Sequence, residues 1–141
     1  MREEAKDWQL NKRGASLAAN YVLIDFENIQ PSNFELLRMH SLKVIIFVGA
    51  NQNRIPFELA AAMQSMGDAA QYIKMGSIGK NALDFHIAFY VGELAAKDPD
   101  AFFYIVSRDT GFDTLIKHLE ARKIKVQRVQ DLDEIKAYTQ G

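Results

Sequence analysis

The sequence predicts an α/β fold, a three-layer α/β/α sandwich around a five-stranded parallel sheet. Three observations predict it. Five short apolar runs alternate with four longer amphipathic stretches. The runs are nearly continuous in Val, Ile, Leu, Phe and Tyr, as strands covered on both faces must be. Gly, Pro and Asn punctuate the boundaries, where turns and helix ends need them.

Tyr21–Phe26 reads as the first buried strand. Pro31 precedes a helix carrying Phe34, Leu36, Leu37 and Met39. Lys43–Val48 is a second strand, closed by Gly49. Pro56 opens a helix with Leu59, Ala60, Met63 and Met66, which Gly67 ends. Gln71–Met75 is a third strand, ended by Gly76, and Asn81 caps a long helix to about Ala96. Ala101–Val106 is a fourth strand. Thr110–Arg122 follows as a helix with Phe112, Leu115, Ile116 and Leu119 on one stripe, and Lys125–Val129 is the fifth strand. Residues 1–20 read as an arm or appended helix, 21–129 as the domain, and 130–141 as a tail.

The composition narrows the chemistry. The chain has 141 residues, 48% of them hydrophobic and 25% charged, enough for one domain with a real core. Its 17 basic and 18 acidic residues leave a net charge of −1, which argues against a uniformly basic nucleic-acid binder but leaves room for a local patch. Cysteine is absent, so disulfides, thiolate metal sites and cysteine nucleophiles are excluded. No apolar run approaches a membrane span, and residues 1–13 lack the apolar segment of a secretory signal. A cytoplasmic location is the expectation.

Open parallel sheets bind ligands at the carboxyl ends of their strands. Three acids fall in or near that zone. Asp25 lies inside the first apolar run, where a carboxylate needs a partner or a cation. Asp109 follows the fourth strand, where a helix N-cap is the alternative reading. Asp84 lies in the first turn of the long helix. On a helical wheel His86, Tyr90, Glu93 and Lys97 form the solvent stripe, and Asp84 falls opposite it beside Ala88, Val91 and Ala95. The helix dipole accounts for an acid in a first turn but not for the face it takes.

Two carboxylates ~5 Å apart repel by about 3 kcal/mol at an effective dielectric near 20. Three together call for protonation or a cation. Oxygen-only donors without Cys or clustered His suit Mg²⁺ or Mn²⁺, and the chemistry implied is metal-assisted attack on a phosphodiester. Asn28 stands three residues after Asp25, placed to orient water or phosphate. Lys80, at the mouth of the Asn81 helix, and Arg108 are candidate contacts to a phosphate, as are Asn51 and Arg54 in the polar loop after strand two. Asp113, one turn beyond Asp109, is a candidate fourth acid. The same residues also read as ordinary turn or solvated groups.

Other chemistries find less support. Gly76-Ser77-Ile78-Gly79-Lys80-Asn81 follows a strand and opens a helix but departs from a Walker A loop at both ends. Ser107 has no evident His base. His40, His86 and His118 are scattered and read as surface residues, and Phe102, Phe103 and Tyr104 read as sheet core.

On Ile24-Asp25-Phe26-Glu27-Asn28, Gly79-Lys80-Asn81-Ala82-Leu83-Asp84-Phe85 and Ile105-Val106-Ser107-Arg108-Asp109-Thr110-Gly111-Phe112-Asp113, the chain resembles PIN-like nuclease domains of the NYN branch over residues 21–129. The resemblance implies a sheet of order 3-2-1-4-5, acids meeting at the carboxyl ends of strands one and four, and metal-dependent ribonuclease activity on RNA, expected to be single-stranded. Many relatives carry a second acid where this chain has Gly111, and Asp113 is the residue placed to substitute for it. PIN-like domains without activity also exist. The rival expectations are therefore a non-catalytic RNA-binding or regulatory module, and a protein-interaction domain, as a homodimer or with a regulatory partner.

Overall fold

A computed structural model describes residues 18–38, 41–79 and 81–135 of the chain. Five strands, β1 (Asn20–Asp25), β2 (Leu42–Val48), β3 (Ala70–Lys74), β4 (Phe102–Val106) and β5 (Lys125–Val129), form one sheet. Its order is β3-β2-β1-β4-β5 and every pairing is parallel. The helices are α1 (Glu35–Arg38), α2 (Phe57–Ser65), α3 (Ala82–Lys97) and α4 (Phe112–Ala121), with 3-10 turns at Gly67–Ala69 and Leu132–Glu134. Among the described residues no helix is long and apolar enough to cross a membrane.

Strand parity divides the core into two halves. Successive side chains alternate between the faces of a sheet. Tyr21, Leu23, Ile45, Phe47, Phe103 and Ile105 face α3 and α4, where they meet Leu83, Ile87, Val91, Phe112, Ile116 and Leu119. Val22, Ile24, Val44, Ile46, Tyr104 and Val106 face the other way, onto Leu37, Leu59, Met63 and Leu132. Many of these side chains are fully enclosed, Leu23, Ile24, Ile46 and Ile87 among them. Truncating one such residue to Ala typically costs about 2–5 kcal/mol, so the position of the sheet's edge is held firmly from both sides.

The same parity has a chemical consequence. Asp25 continues the odd series of β1, and Ser107 the odd series of β4. Both therefore face the α3/α4 layer. They are neighbours, because Ile24 pairs with Val106 one residue earlier. The strand order also reverses at β1, whose two neighbours lead away in opposite directions. That is the switch point where open α/β sheets leave a crevice.

Expected boundaries shift by a residue or two, as helix and strand ends commonly do. Larger departures concern α3 and its start. Asn81 precedes the helix in left-handed conformation, φ 65°, and its side chain makes no cap bond. Asn tolerates that conformation, so Asn81 serves as a turn residue and not as the expected hydrogen-bonding cap. Tyr90, expected on the solvent stripe, instead packs on the core, its ring 5.7 Å from Phe47. Phe85 and Phe89 are exposed in its place. The reason is that α3 is apolar almost all round, so composition alone fixes its buried face poorly. Met39, His40 and Lys80 lie outside the described residues.

Candidate metal centre

At the carboxyl edge of the sheet Asp25 is fully buried. Its Oδ2 accepts two hydrogen bonds, from Asn28 Nδ2 at 2.7 Å and from Ser107 Oγ at 2.8 Å. Its Oδ1 lies 3.4 Å from the Asn28 backbone amide. Asn28 thus orients Asp25, a firmer task than positioning free water. The backbone supports this turn, with the Asn28 and Ile29 amides both bonded to the Asp25 carbonyl.

Ser107, read from the sequence only as a nucleophile lacking a base, has a positioning role instead. It is fully buried, donates to Asp25, and accepts from the Asp109 amide at 3.0 Å. One hydroxyl therefore joins the acid ending β1 to the loop carrying the acid after β4. Its signal is parity: it extends the inward series of β4 by one step, yet is polar.

Asp109 is half-buried, and its Oδ1 accepts from the Gly111 amide at 2.8 Å. The carboxylate thus holds the turn into α4 in the manner of a cap, and its charge is felt at Asp84. Asp84 is half-buried in the first turn of α3. Burial and the nearby charges of Asp109, Asp25 and Glu27 push its carboxyl up to about 6. Acids from β1, α3 and the β4–α4 loop thus lie within electrostatic reach of one another. Glu27 is an acid the sequence reading did not assign. Its carboxylate lies where a Cβ on Gly49 would stand, so only glycine at 49 leaves it that position.

Gly111 has a related role. A Cβ there would come within 2.9 Å of Asp109 Oδ1. The backbone is helical, φ −59°, so Ala is locally compatible. Gly111→Ala is expected to leave the melting temperature within about 2 °C of wild type, since one flexible carboxylate can turn aside at small cost. Turning it re-aims Asp109, so Mn²⁺ affinity, read by calorimetric titration, should fall by about tenfold. An unchanged affinity would show that the aim of Asp109 is immaterial.

Asp113 does not join the cluster. It lies exposed in the first turn of α4 and is paired with Arg128, Nε to Oδ1 at 2.8 Å. The Arg128 hydrogen bond holds its carboxyl below the usual range. Arg128 also donates to the Ser107 carbonyl at 3.1 Å, tying β5 to the loop that carries Asp109. The expected fourth acid is corrected accordingly: β5 delivers a guanidinium that claims Asp113.

The remaining expected contacts are on the rim. Arg108, Asn51 and Arg54 are exposed there. Gln52, between Asn51 and the chain at Arg54, is structural: its amide donates to the Phe26 carbonyl at 3.1 Å and accepts from the Gly49 amide at 2.8 Å. Lys74 clamps the same loop through the carbonyls of Gly49, Ala50 and Gln52. The expected phosphate contact Lys80 lies outside the described residues.

Among the described residues no three Asp, Glu, His or Cys side chains are gathered into a ready metal cage. Asp25 is turned onto Asn28 and Ser107. The donor set still fits a magnesium-type ion. Such an ion keeps most of its waters and needs only one or two carboxylates, and Asp84 and Asp109 open onto the same groove. A groove of about 410 Å³ opens onto Asp84 and Asp109, between α3 and α4. A larger cavity, about 850 Å³, lies at the opposite edge of the sheet among Arg38, Lys43, Ser65 and Asp98, away from these acids.

A family model described as PIN domain matches residues 19–129, nearly the whole described fold. Neither the curated proteins nor the solved structures gave a match. PIN domains are commonly metal-dependent nucleases. The match takes in all five strands and every acid discussed above, and the chain belongs to the PIN domain family.

Proposed function

We propose that the chain is a Mg²⁺- or Mn²⁺-dependent endoribonuclease of the NYN branch, acting on single-stranded RNA. The observation that carries this reading is the convergence of acids from three elements at the carboxyl edge of the sheet: Asp84 and Asp109 line one groove, and Ser107 ties the Asp109 loop to the buried Asp25. A chain that needed only structure there has no reason to aim a third carboxylate at two others. Asp84 and Asp109 would hold the ion, with Asp25 behind them and Glu27 at the margin.

A divalent ion in this place supplies a polarised phosphoryl oxygen and a more acidic water. The chain's own residues supply the rest. Ser107 and Asn28 hold Asp25 in one orientation, so the negative potential is directed at the edge and not into the core. The Gly111 amide aims Asp109. Arg108 and Arg54 offer guanidinium groups to the phosphates of a strand lying along the rim, with Asn51 beside them. Asp113 has no part in this reading beyond anchoring Arg128.

The test is cleavage of a single-stranded RNA across a Mn²⁺ titration, wild type against Asp84→Asn. Cleavage by wild type at a rate at least ~100-fold above the variant is expected. Equal rates at every metal level would remove the proposal. RNA binding without cleavage would instead favour a non-catalytic RNA-binding module, a reading to which Gly111 in place of a second acid lends support.

A further inference from the structure

Phe85 and Phe89 project from α3 at 69% and 58% exposure. They stand one turn apart, on the same side of the helix. The sheet-facing side of α3 is already filled by Leu83, Ile87, Val91 and Ala95, with Tyr90 packed alongside. Neither ring belongs to the core, though Phe89 meets the Tyr90 ring edge-on at 5.1 Å. Phe85 directly follows Asp84, and both line the groove that also takes in Asp109, Ala88, Phe112 and Leu115.

That groove joins two chemistries. One part presents the carboxylates of Asp84 and Asp109. The other presents an aromatic ring and apolar side chains. A greasy helix or a second copy of the chain laid there would strip water from two carboxylates without replacing it. A nucleotide matches both parts: its phosphate approaches the acids through a shared cation, and its flat base offers an apolar face to an aromatic ring. At about 410 Å³ the groove is within the size range of small-ligand sites.

We propose that Phe85 forms a base-stacking subsite, holding the base of the nucleotide beside the phosphate that meets the acids. The subsite rests on the nuclease reading only for where that phosphate sits. It takes any base, because every base has a π-face. It refuses duplex, whose bases are stacked on one another. Single-strand preference then follows from Phe85 and not from the acids.

The experiment uses a single-stranded RNA of about eight nucleotides, with 2-aminopurine placed at successive positions. Binding is followed by anisotropy and 2-aminopurine fluorescence in Ca²⁺, and the strand's integrity is checked on a gel. Wild type should quench the probe strongly at one position. Phe85→Ala should bind about tenfold more weakly and lose the quench, while Phe85→Trp keeps both. Phe89→Ala, whose ring lies outside the groove lining, should bind within about twofold of wild type. Melting curves check that the variants fold.

Unchanged affinity and quench in Phe85→Ala would overturn the subsite. So would a wild-type dimer that Phe85→Ala dissolves, because the ring would then be buried against a second copy. Cleavage in Mn²⁺ is scored separately. Cleavage that is indifferent to Phe85 sinks the subsite and spares the nuclease reading. Quenching without cleavage does the reverse, and an RNA that neither binds nor is cut defeats both.

Discussion

Asp84→Asn is expected to lower Mn²⁺-dependent RNA cleavage by about 10²–10³-fold while making the metal-free protein more stable at neutral pH. The second effect follows from the raised carboxyl, ordinarily near 3.8 and here about 6. Between those values the folded chain holds a proton that the unfolded chain has released. Stability therefore falls as pH rises through this window, and the loss is complete above about pH 6. A shift of that size in a dry site would amount to about 3 kcal/mol. Asp84 is only half-buried, and solvent screening reduces the figure to about 1 kcal/mol.

At pH 7.5 the variant should therefore melt about 3 °C higher than wild type. At pH 4, where wild-type Asp84 carries its proton, the two should coincide. Saturating Mn²⁺ should reverse the order, raising wild type above the variant. Melting curves at the two pH values, with and without the ion, check all three statements. A variant less stable than wild type at pH 7.5 without metal would mean that Asp84 is a structural acid.

Ser107→Ala is expected to damage both the fold and the metal site. The hydroxyl is fully buried and serves two partners, Asp25 and the Asp109 amide. Removing it leaves a buried carboxylate with one donor fewer and an amide with none supplied by residue 107. Leaving such groups unsatisfied costs about 1–3 kcal/mol, which corresponds to a melting temperature lower by about 6 °C. Because Asp25 and Asp109 also lose their common tie, Mn²⁺ affinity and cleavage should fall by about 10–100-fold. Ser107→Thr keeps the hydroxyl and should restore most of the affinity, although its extra methyl has little room. If Ser107→Ala lowers stability alone, with metal affinity intact, then the serine only packs.

These two residues also show what could be read from the chain alone. The strands were legible because parallel strands are buried on both faces and read as unbroken apolar runs. Asp25, Asp84 and Asp109 stood out because a carboxylate is conspicuous inside or beside such a run. Ser107 did not, because serine is common after strands and is not itself a metal ligand. Only the register of β1 against β4 brings it to Asp25. Glu27 was hidden in a turn, and its place depends on the missing side chain of Gly49 on the neighbouring strand's exit.

Asp113 failed for a related reason. Its partner Arg128 is on β5, and nothing in the spacing of the two shows that the ion pair will form. The helical wheel of α3 pointed Tyr90 to solvent because its apolar residues surround the helix. The sheet has room for one stripe, and Phe85 and Phe89 are what it leaves outside.

The most direct measurement is a crystal structure of the wild-type protein soaked in Mn²⁺, read by anomalous scattering. A peak between Asp84 and Asp109, within coordinating distance of both and facing Asp25, is the expected result. A protein that takes up no ion there at saturating Mn²⁺ would contradict it.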